Sequence, residues 1–262
     1  MKVSLVMPAR NEEGCVADTA SRFAQALSGA SIDYEIIVVD DGSTDGTSAH
    51  VLDLARCVPG IRLVHNPGPN GFGLAVRRGL ENITGDAVFI VMADGSDSPE
   101  DLLKYHAKLL EGYDCVFGSR FIPGGKVVDY PGHKLIVNRL ANWFIKFLFR
   151  IPFNDITNAF KGYRREVIQG IAPLIAPHFN LTVEMPLKAI VRGYSFGVVP
   201  ITWTNRKTGI SKLKLQEMGS RYLFIVLYLW LEKHLSRGDY HRAKSVAPQQ
   251  QAQPQGTRPT HA

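Results

Sequence analysis

The stretch Val88-Phe89-Ile90-Val91-Met92-Ala93-Asp94-Gly95-Ser96-Asp97 decides the fold. Its unbroken apolar run follows Gly85-Asp86 and reads as a strand buried on both faces. The run stops at two carboxylates, a glycine and a serine, and Pro99 then opens a helix rich in Leu and Lys. In open α/β sheets, ligands gather at the carboxyl ends of the strands. Acidic groups placed there can hold a hard cation, and a hard cation can hold a diphosphate. Asp97-Ser98-Pro99 also suits a helix start, with Ser98 as the cap. Capping leaves Asp94 without a task.

Working upstream, Val3 to Met7 is a short buried strand closed by Pro8-Ala9-Arg10-Asn11-Glu12. From Glu13 to Leu27, the spacing of Val16, Ala20, Phe23, Ala24 and Leu27 fits one face of a helix. Glu35 to Val39 is a second strand, ending in Asp40-Asp41-Gly42-Ser43-Thr44-Asp45-Gly46-Thr47. That ending imitates a calcium loop, but Leu52 stands where the bidentate Glu is needed and a strand precedes it where a helix should. A helix from Thr47 to about Cys57, a strand at Arg62 to His65 and a helix from Asn70-Gly71-Phe72-Gly73 to Asn82 come next. Gly71-x-Gly73 lacks the third glycine of a dinucleotide fingerprint and lies in the third βα unit, not the first.

Downstream, a helix to about Leu110 and a strand at Cys115 to Gly118 complete five alternations of strand and helix. The fold class is therefore α/β, a mostly parallel sheet with helices on both faces. After Gly118-Ser119-Arg120 the rhythm changes. His133 to Phe149 is a basic, aromatic-rich amphipathic helix, Glu184 begins another helix, and Gly197 to Thr204 is a strand. Ser211 to Leu235 is apolar and aromatic in its middle, flanked by Lys212, Lys214, Arg221, Lys233 and Arg237. From Ala243 the chain is Gln, Pro, Ala and Thr, too polar to pack and expected to be disordered.

Charge is divided along the chain. Residues 1–125 carry 10 Lys and Arg against 17 Asp and Glu, whereas the remainder carries 20 against 7. An acidic front half beside a basic back half suits a metal-using site that faces a polyanion or an anionic surface. No nucleic-acid module is recognisable, so nucleic acid is not expected as a partner. Three widely spaced cysteines fit neither a disulfide framework nor a zinc site, and point to a reducing compartment. The run Met1 to Met7 is too short for a signal peptide, and Tyr222 to Leu231 is too short for a membrane span.

Taken together, these segments resemble the family 2 glycosyltransferases of GT-A, Rossmann-like fold, and most closely the polyprenyl-phosphate (dolichyl-phosphate) mannosyl- and glucosyltransferases. The resemblance runs from Val3 to about Lys214. It rests on the ordered set Pro8-Ala9-Arg10-Asn11-Glu12, Asp40 to Thr47, Gly71-x-Gly73-x-Ala75, Ala93-Asp94, Gly118-Ser119-Arg120, Asp155-x-Thr157-Asn158-Ala159-Phe160 and Arg206-x-x-Gly209-x-Ser211-Lys212. It implies a catalytic domain over 1–210, an amphipathic, membrane-interfacial helical segment over 211–240 and a polar tail over 241–262.

The resemblance also implies the site. Pro8, Arg10, Glu12, Asp40, Asp41, Ala93 and Asp94 would bind the nucleotide sugar, and Arg120, Arg139, Arg206, Ser211 and Lys212 would face phosphates of donor or lipid acceptor. A lone Arg can equally be a solvated surface charge, and for Arg139 the two readings stay open. Asp94 would hold magnesium or manganese, with Ser96 and Asp97 as helpers. The family's first metal-motif Asp is here Met92, whose thioether does not suit a hard ion. Asp155 would orient the acceptor or act as a base, or it merely caps a turn ahead of Thr157.

The expected activity is inverting transfer of a hexose from a nucleotide-diphosphate sugar to polyprenyl phosphate, on the cytoplasmic face of a membrane. Its two rivals are a soluble enzyme acting on a glycan hydroxyl and a non-catalytic nucleotide-sugar-binding subunit alongside an integral-membrane partner. The helices at His133 to Phe149 and Ser211 to Leu235 would lie in the interface, or would serve core or dimer packing.

Overall fold

The computed structural model describes residues 1–205 and 215–242. The chain runs β1 (Val3–Ala9), α1 (Val16–Gly29), β2 (Tyr34–Asp40), α2 (Thr47–Cys57), β3 (Ile61–His65), α3 (Phe72–Leu80), β4 (Ala87–Ile90), α4 (Pro99–Leu110) and β5 (Cys115–Ser119). It continues through β6 (Lys126–Val128), α5 (Gly132–Phe149), β7 (Lys161–Arg164), α6 (Arg165–Gly170), α7 (Leu181–Val191), β8 (Phe196–Pro200), β9 (Thr202–Thr204) and α8 (Leu215–Leu235). Arg206, Ser211 and Lys212, and the tail from 243, lie outside the described residues.

Seven strands form one sheet in the order β3-β2-β1-β4-β7-β5-β8. All are parallel except β7, which runs antiparallel to β4 and β5. The two-residue period of a strand sends alternate side chains to opposite layers. Leu5, Met7, Ile36, Val38 and Phe89 face α1, α2 and α4, while Val6, Ile37, Val39, Val88 and Ile90 face α3, α5, α7 and α8. Both layers are buried, so these strands are apolar throughout rather than alternating.

The sequence reading lacks β6 and α6 and starts α7 at Glu184 rather than Leu181, and three further elements differ from it. The deciding strand ends at Ile90, although Val91 still donates its N–H to Val6 O at 3.1 Å and is buried. The expected strand at Gly197 to Thr204 is two: β8 joins the main sheet, and β9 pairs with β6 in a second, two-stranded sheet. The central β7 carries no apolar run and is not legible as a strand from Lys161-Gly162-Tyr163-Arg164.

The glycine pair 71 and 73 has a packing task. A Cβ at Gly73 would stand 2.2 Å from Ala176 O, and one at Gly71 would stand 2.4 Å from Pro177 O. Only glycine lets α3 start this close to the segment ahead of α7. The last helix, α8, is part of the same core: Ile225, Val226 and Leu229 are buried in the layer that α5 and α7 share.

Candidate functional site

Register brings the site together. Ala9 pairs with Asp40 and Val6 with Ile90, so β1, β2 and β4 release Arg10, Asp41 and the 92–97 loop at one edge. Because β7 is antiparallel to both β4 and β5, β5 also ends at that edge and delivers Ser119-Arg120. β7 starts there, which brings the 155–160 segment to the same place. This is the carboxyl edge where such sheets bind ligands.

The β1–α1 and β2–α2 loops are knitted into a shelf. Asn11 N donates to Ser43 Oγ at 3.0 Å, Thr44 N to Asn11 Oδ1 at 2.8 Å and Glu12 N to Thr47 Oγ1 at 2.8 Å. Asp40 accepts from Ser43 N at 2.9 Å and Ser48 Oγ at 2.7 Å. Burial pulls its carboxyl upward, but the Ser43 and Ser48 hydrogen bonds outweigh that and hold it below the usual carboxylate range. Asp41 is turned to structure: it accepts from Asn66 Nδ2 at 2.7 Å and from Gly71 N at 2.8 Å, fixing the entry to α3. Pro8 is buried in β1 and Arg10 is exposed at the shelf's rim.

In the 92–97 loop, Asp94 accepts from Ser96 N at 3.1 Å and Asp97 accepts from Met92 N at 2.9 Å. Asp97 also pairs with Trp203, and Thr204 N donates to Ser96 O at 3.1 Å, so β9 braces the loop. Asp97 is 3% exposed, and burial, with Asp94 nearby, pushes its carboxyl up to about 7 against the Met92 hydrogen bond. Ala93 is buried beside it. Ser96 Oγ is buried and has no hydrogen-bond partner among the described residues.

Those donors are hard oxygens, which fits magnesium or manganese. Among the described residues no three His, Cys, Asp or Glu side chains cluster tightly enough to hold an ion by themselves. The arrangement suits a cation completed by diphosphate oxygens. Magnesium often binds through one or two carboxylates plus substrate phosphates.

Arg120 is the cationic counterpart. It is 7% exposed and is gripped by Asp155, whose Oδ2 accepts from Arg120 N at 2.9 Å and Nε at 2.8 Å and whose Oδ1 accepts from Nη2 at 2.7 Å. Asp155 is fully buried. Burial alone would lower the Arg120 pKa, but the Asp155 charge and hydrogen bonds raise it above its ordinary value. Phe121, Tyr130 and Trp203 surround the guanidinium at 5.2, 6.0 and 6.0 Å from their ring centroids. Arg139 lies 4.2 Å from the same Phe121 ring, so one aromatic ring contacts both guanidiniums.

The sequence reading named Asp155 but missed its partner, because the pair is separated by 35 positions. It also missed the Phe121, Tyr130 and Trp203 wall and gave Lys161 no role. A lysine directly after Phe160, at the end of the motif that begins at Asp155, was the available signal.

The model of the family described as "Glycosyl transferase family 2" matches residues 4–171. A curated relative, the polyprenol monophosphomannose synthase of Mycolicibacterium smegmatis, is 36% identical over 184 residues, covering 68% of this chain and 69% of the relative. The dolichol-phosphate mannosyltransferase of Pyrococcus furiosus is 32% identical over 219 residues, covering 82% of this chain; the chain spans 60% of that relative's length. Among solved structures, the glucosyl-3-phosphoglycerate synthase of Mycobacterium tuberculosis superposes with a TM-score of 0.66 at 21% identity. That match covers 88% of this chain and 79% of the other, which was crystallised with Mn2+, UDP-glucose and phosphoglyceric acid. The chain thus shares the fold of GT-A glycosyltransferases.

Proposed function

The chain belongs to glycosyl transferase family 2, and from that premise we propose that it moves a hexose, mannose or glucose, from a nucleotide-diphosphate sugar to a polyprenyl phosphate. The observation that carries this reading is one sheet edge on which the oxygen-donor loop at Asp94 and Ser96 meets the aromatic-walled, buried Arg120. The names of the two curated relatives, a polyprenol monophosphomannose synthase and a dolichol-phosphate mannosyltransferase, supply the acceptor class.

The β1–α1 and β2–α2 shelf would take the nucleoside, with Asp40 held anionic by Ser43 and Ser48 to accept from a ribose hydroxyl. Arg120 and Arg139 would receive phosphate oxygens, Arg120 with its direction fixed by Asp155. The resemblance assigns Arg206, Ser211 and Lys212, outside the described residues, to the phosphates as well. A divalent cation, when bound at Asp94 and Ser96, supplies charge neutralisation for the departing diphosphate. Magnesium and manganese both suit these oxygens.

A phosphate acceptor is largely ionised at neutral pH and needs no strong general base. Transfer then rests on in-line positioning and charge stabilisation, and one displacement inverts the anomeric carbon. Asp155 supports this over a hydroxyl acceptor. Both of its oxygens are committed to Arg120 and it is buried, so it is not placed to take a proton from a sugar hydroxyl.

The site would work at a membrane surface. On α5, Ile136, Leu140, Trp143, Phe144 and Phe147 are exposed along one stripe, and on α8 Leu223, Phe224, Leu227, Leu231 and Leu235 are exposed likewise. No helix among the described residues is long and apolar enough to cross a membrane. Peripheral binding fits both facts, and the cytoplasmic face is the side we propose for it.

The test is release of nucleoside diphosphate by purified protein across a panel of sugar donors, with and without polyprenyl phosphate. Release that depends on the lipid phosphate and yields a lipid-linked hexose is expected. Equal release with water or a soluble hydroxyl acceptor would overturn the reading.

A further inference from the structure

We propose that Lys161, the first residue of β7, is a positioning residue for transfer: it clamps the 155–160 segment so that Asp155 can aim Arg120. The proposal rests on the reading that Arg120 receives phosphate. Lys161 is 1% exposed, and its ammonium donates to Ile156 O at 2.9 Å, to Thr182 O at 3.2 Å and to Asn158 O. All three of its donors are therefore used. Two of the acceptors lie in the segment that begins at Asp155, and the third ties that segment to α7.

Among the described residues no carboxylate bonds directly to Lys161. Burial pulls the ammonium down to about 7; among the charged groups around it Asp155 opposes that most, Asp97 acts the same way and Arg120 acts against it. A buried ammonium without a directly paired anion is costly. Three carbonyls alone could be satisfied by cheaper neutral groups. The segment has such a neutral tie already: the Tyr105 hydroxyl donates to Phe160 O at 2.9 Å. When charged, Lys161 adds an attraction to Asp155 that a neutral group would not supply. Arg120, Asp155 and Lys161 are all buried, so their charges act on one another with little screening by water. Displacing the Asp155 carboxylate would release Arg120 Nε and Nη2 from their fixed direction.

Full-length protein carrying Lys161→Met, Lys161→Gln, Asp155→Asn or Tyr105→Phe separates a positioning role from a merely structural one. The first readout is hydrogen exchange at Arg120, whose amide donates to Asp155 Oδ2 at 2.9 Å. The second is kcat and KM for donor and for polyprenyl phosphate. Lys161→Met is expected to speed exchange at Arg120 and to lower kcat/KM for the lipid roughly 10- to 100-fold, the range a misplaced contact group commands. Donor KM should stay near the parent value. Combined with Asp155→Asn, the loss should be less than multiplicative. Tyr105→Phe should leave Arg120 exchange and the kinetics unchanged.

Lys161→Gln keeps two N–H donors for the carbonyls and is read the same way should the Met variant not fold. Arg120 exchange and kcat/KM at the parent level in whichever variant folds would overturn the proposal, as would losses matched by Tyr105→Phe. A parent chain that transfers nothing to polyprenyl phosphate fails the functional reading instead. The exchange measurement needs no substrate and still decides the role of Lys161.

Discussion

Arg192 and Glu232 meet as a buried two-point ion pair, Nε to Oε1 at 2.8 Å and Nη2 to Oε2 at 3.2 Å, and so join α7 to α8. Arg192 Nη1 also donates to Gly170 O at 2.9 Å and Ala172 O at 3.0 Å. Helix α8 is thus fastened to the layer it shares with α5 and α7 by charge as well as by Ile225, Val226 and Leu229.

Removing one member of this pair strands the other charge in the core. Glu232→Ala should therefore destabilise the protein by about 3–5 kcal/mol, the range found when a buried pair is broken from one side. Urea unfolding followed by circular dichroism measures it. A loss under about 1 kcal/mol, the range of exposed pairs, would mean that α8 is held without this contact.

By the resemblance, Asp94 would be the metal-motif carboxylate that remains where Met92 stands in place of the other. Asp94→Ala should lower metal-dependent turnover by roughly 100-fold or more, the effect of deleting one preorganised electrostatic group. Met92→Asp should lower the magnesium or manganese concentration that gives half-maximal rate. An unchanged metal dependence in that variant would place residue 92 outside the coordination sphere.

Glu35 predicts an acid limb. It accepts from Ser4 Oγ at 2.6 Å, Thr84 Oγ1 at 2.9 Å and Arg62 Nη2 at 3.1 Å. Burial pulls the carboxyl up, but these bonds, Ser4's foremost, win and hold it at about 2 against an ordinary 4.5. Between those values the unfolded chain binds the extra proton, so stability rises with pH. The contribution is complete above the ordinary value and is lost as pH falls through about 2. Glu35→Gln should flatten the melting temperature against pH across this window while lowering stability at neutral pH. A parallel curve of unchanged slope would exclude Glu35 as the group responsible.

The α/β class and the site's edge were legible because β1, β2 and β4 are buried on both faces and end in polar residues. β7 was not. Its ends are Lys161 and Arg164, and its Gly162 is where the Phe89 ring packs, a Cβ there standing 2.4 Å from Phe89 Cε1. A strand chosen for what it lets past it carries no apolar signature. The resemblance makes Asp41 a nucleotide ligand and Asp97 a metal helper; what it cannot give is that each also accepts a backbone N–H that shapes a loop, from Gly71 and Met92. Spacing gives a carboxylate's place on an edge, but only tertiary contacts say which groups its oxygens face.

The apolar faces of α5 and α8 predict where the protein sits. Trp143 and Phe147 stack at 5.9 Å between ring centroids and are 65% and 71% exposed, an arrangement that soluble surfaces rarely leave open. Lys146 and Arg150 border them, and each cation near an anionic leaflet contributes about 1 kcal/mol, a term that salt weakens. Burying the aromatic stripe adds about 25 cal/mol per Å², which salt does not weaken. Binding to anionic vesicles should therefore fall at high salt without vanishing. Truncation ahead of α8 is a poor probe, because Ile225, Val226 and Leu229 would leave the core. Trp143→Ser with Phe147→Ser changes only exposed side chains and should cut vesicle binding at least about tenfold on both anionic and neutral vesicles, with the urea midpoint unchanged. Replacing Lys146 and Arg150 with Gln should cut it on anionic vesicles alone. If the parent protein stays in the supernatant with anionic vesicles at low salt, this face covers a protein partner instead, and the integral-membrane subunit becomes the occupant to seek.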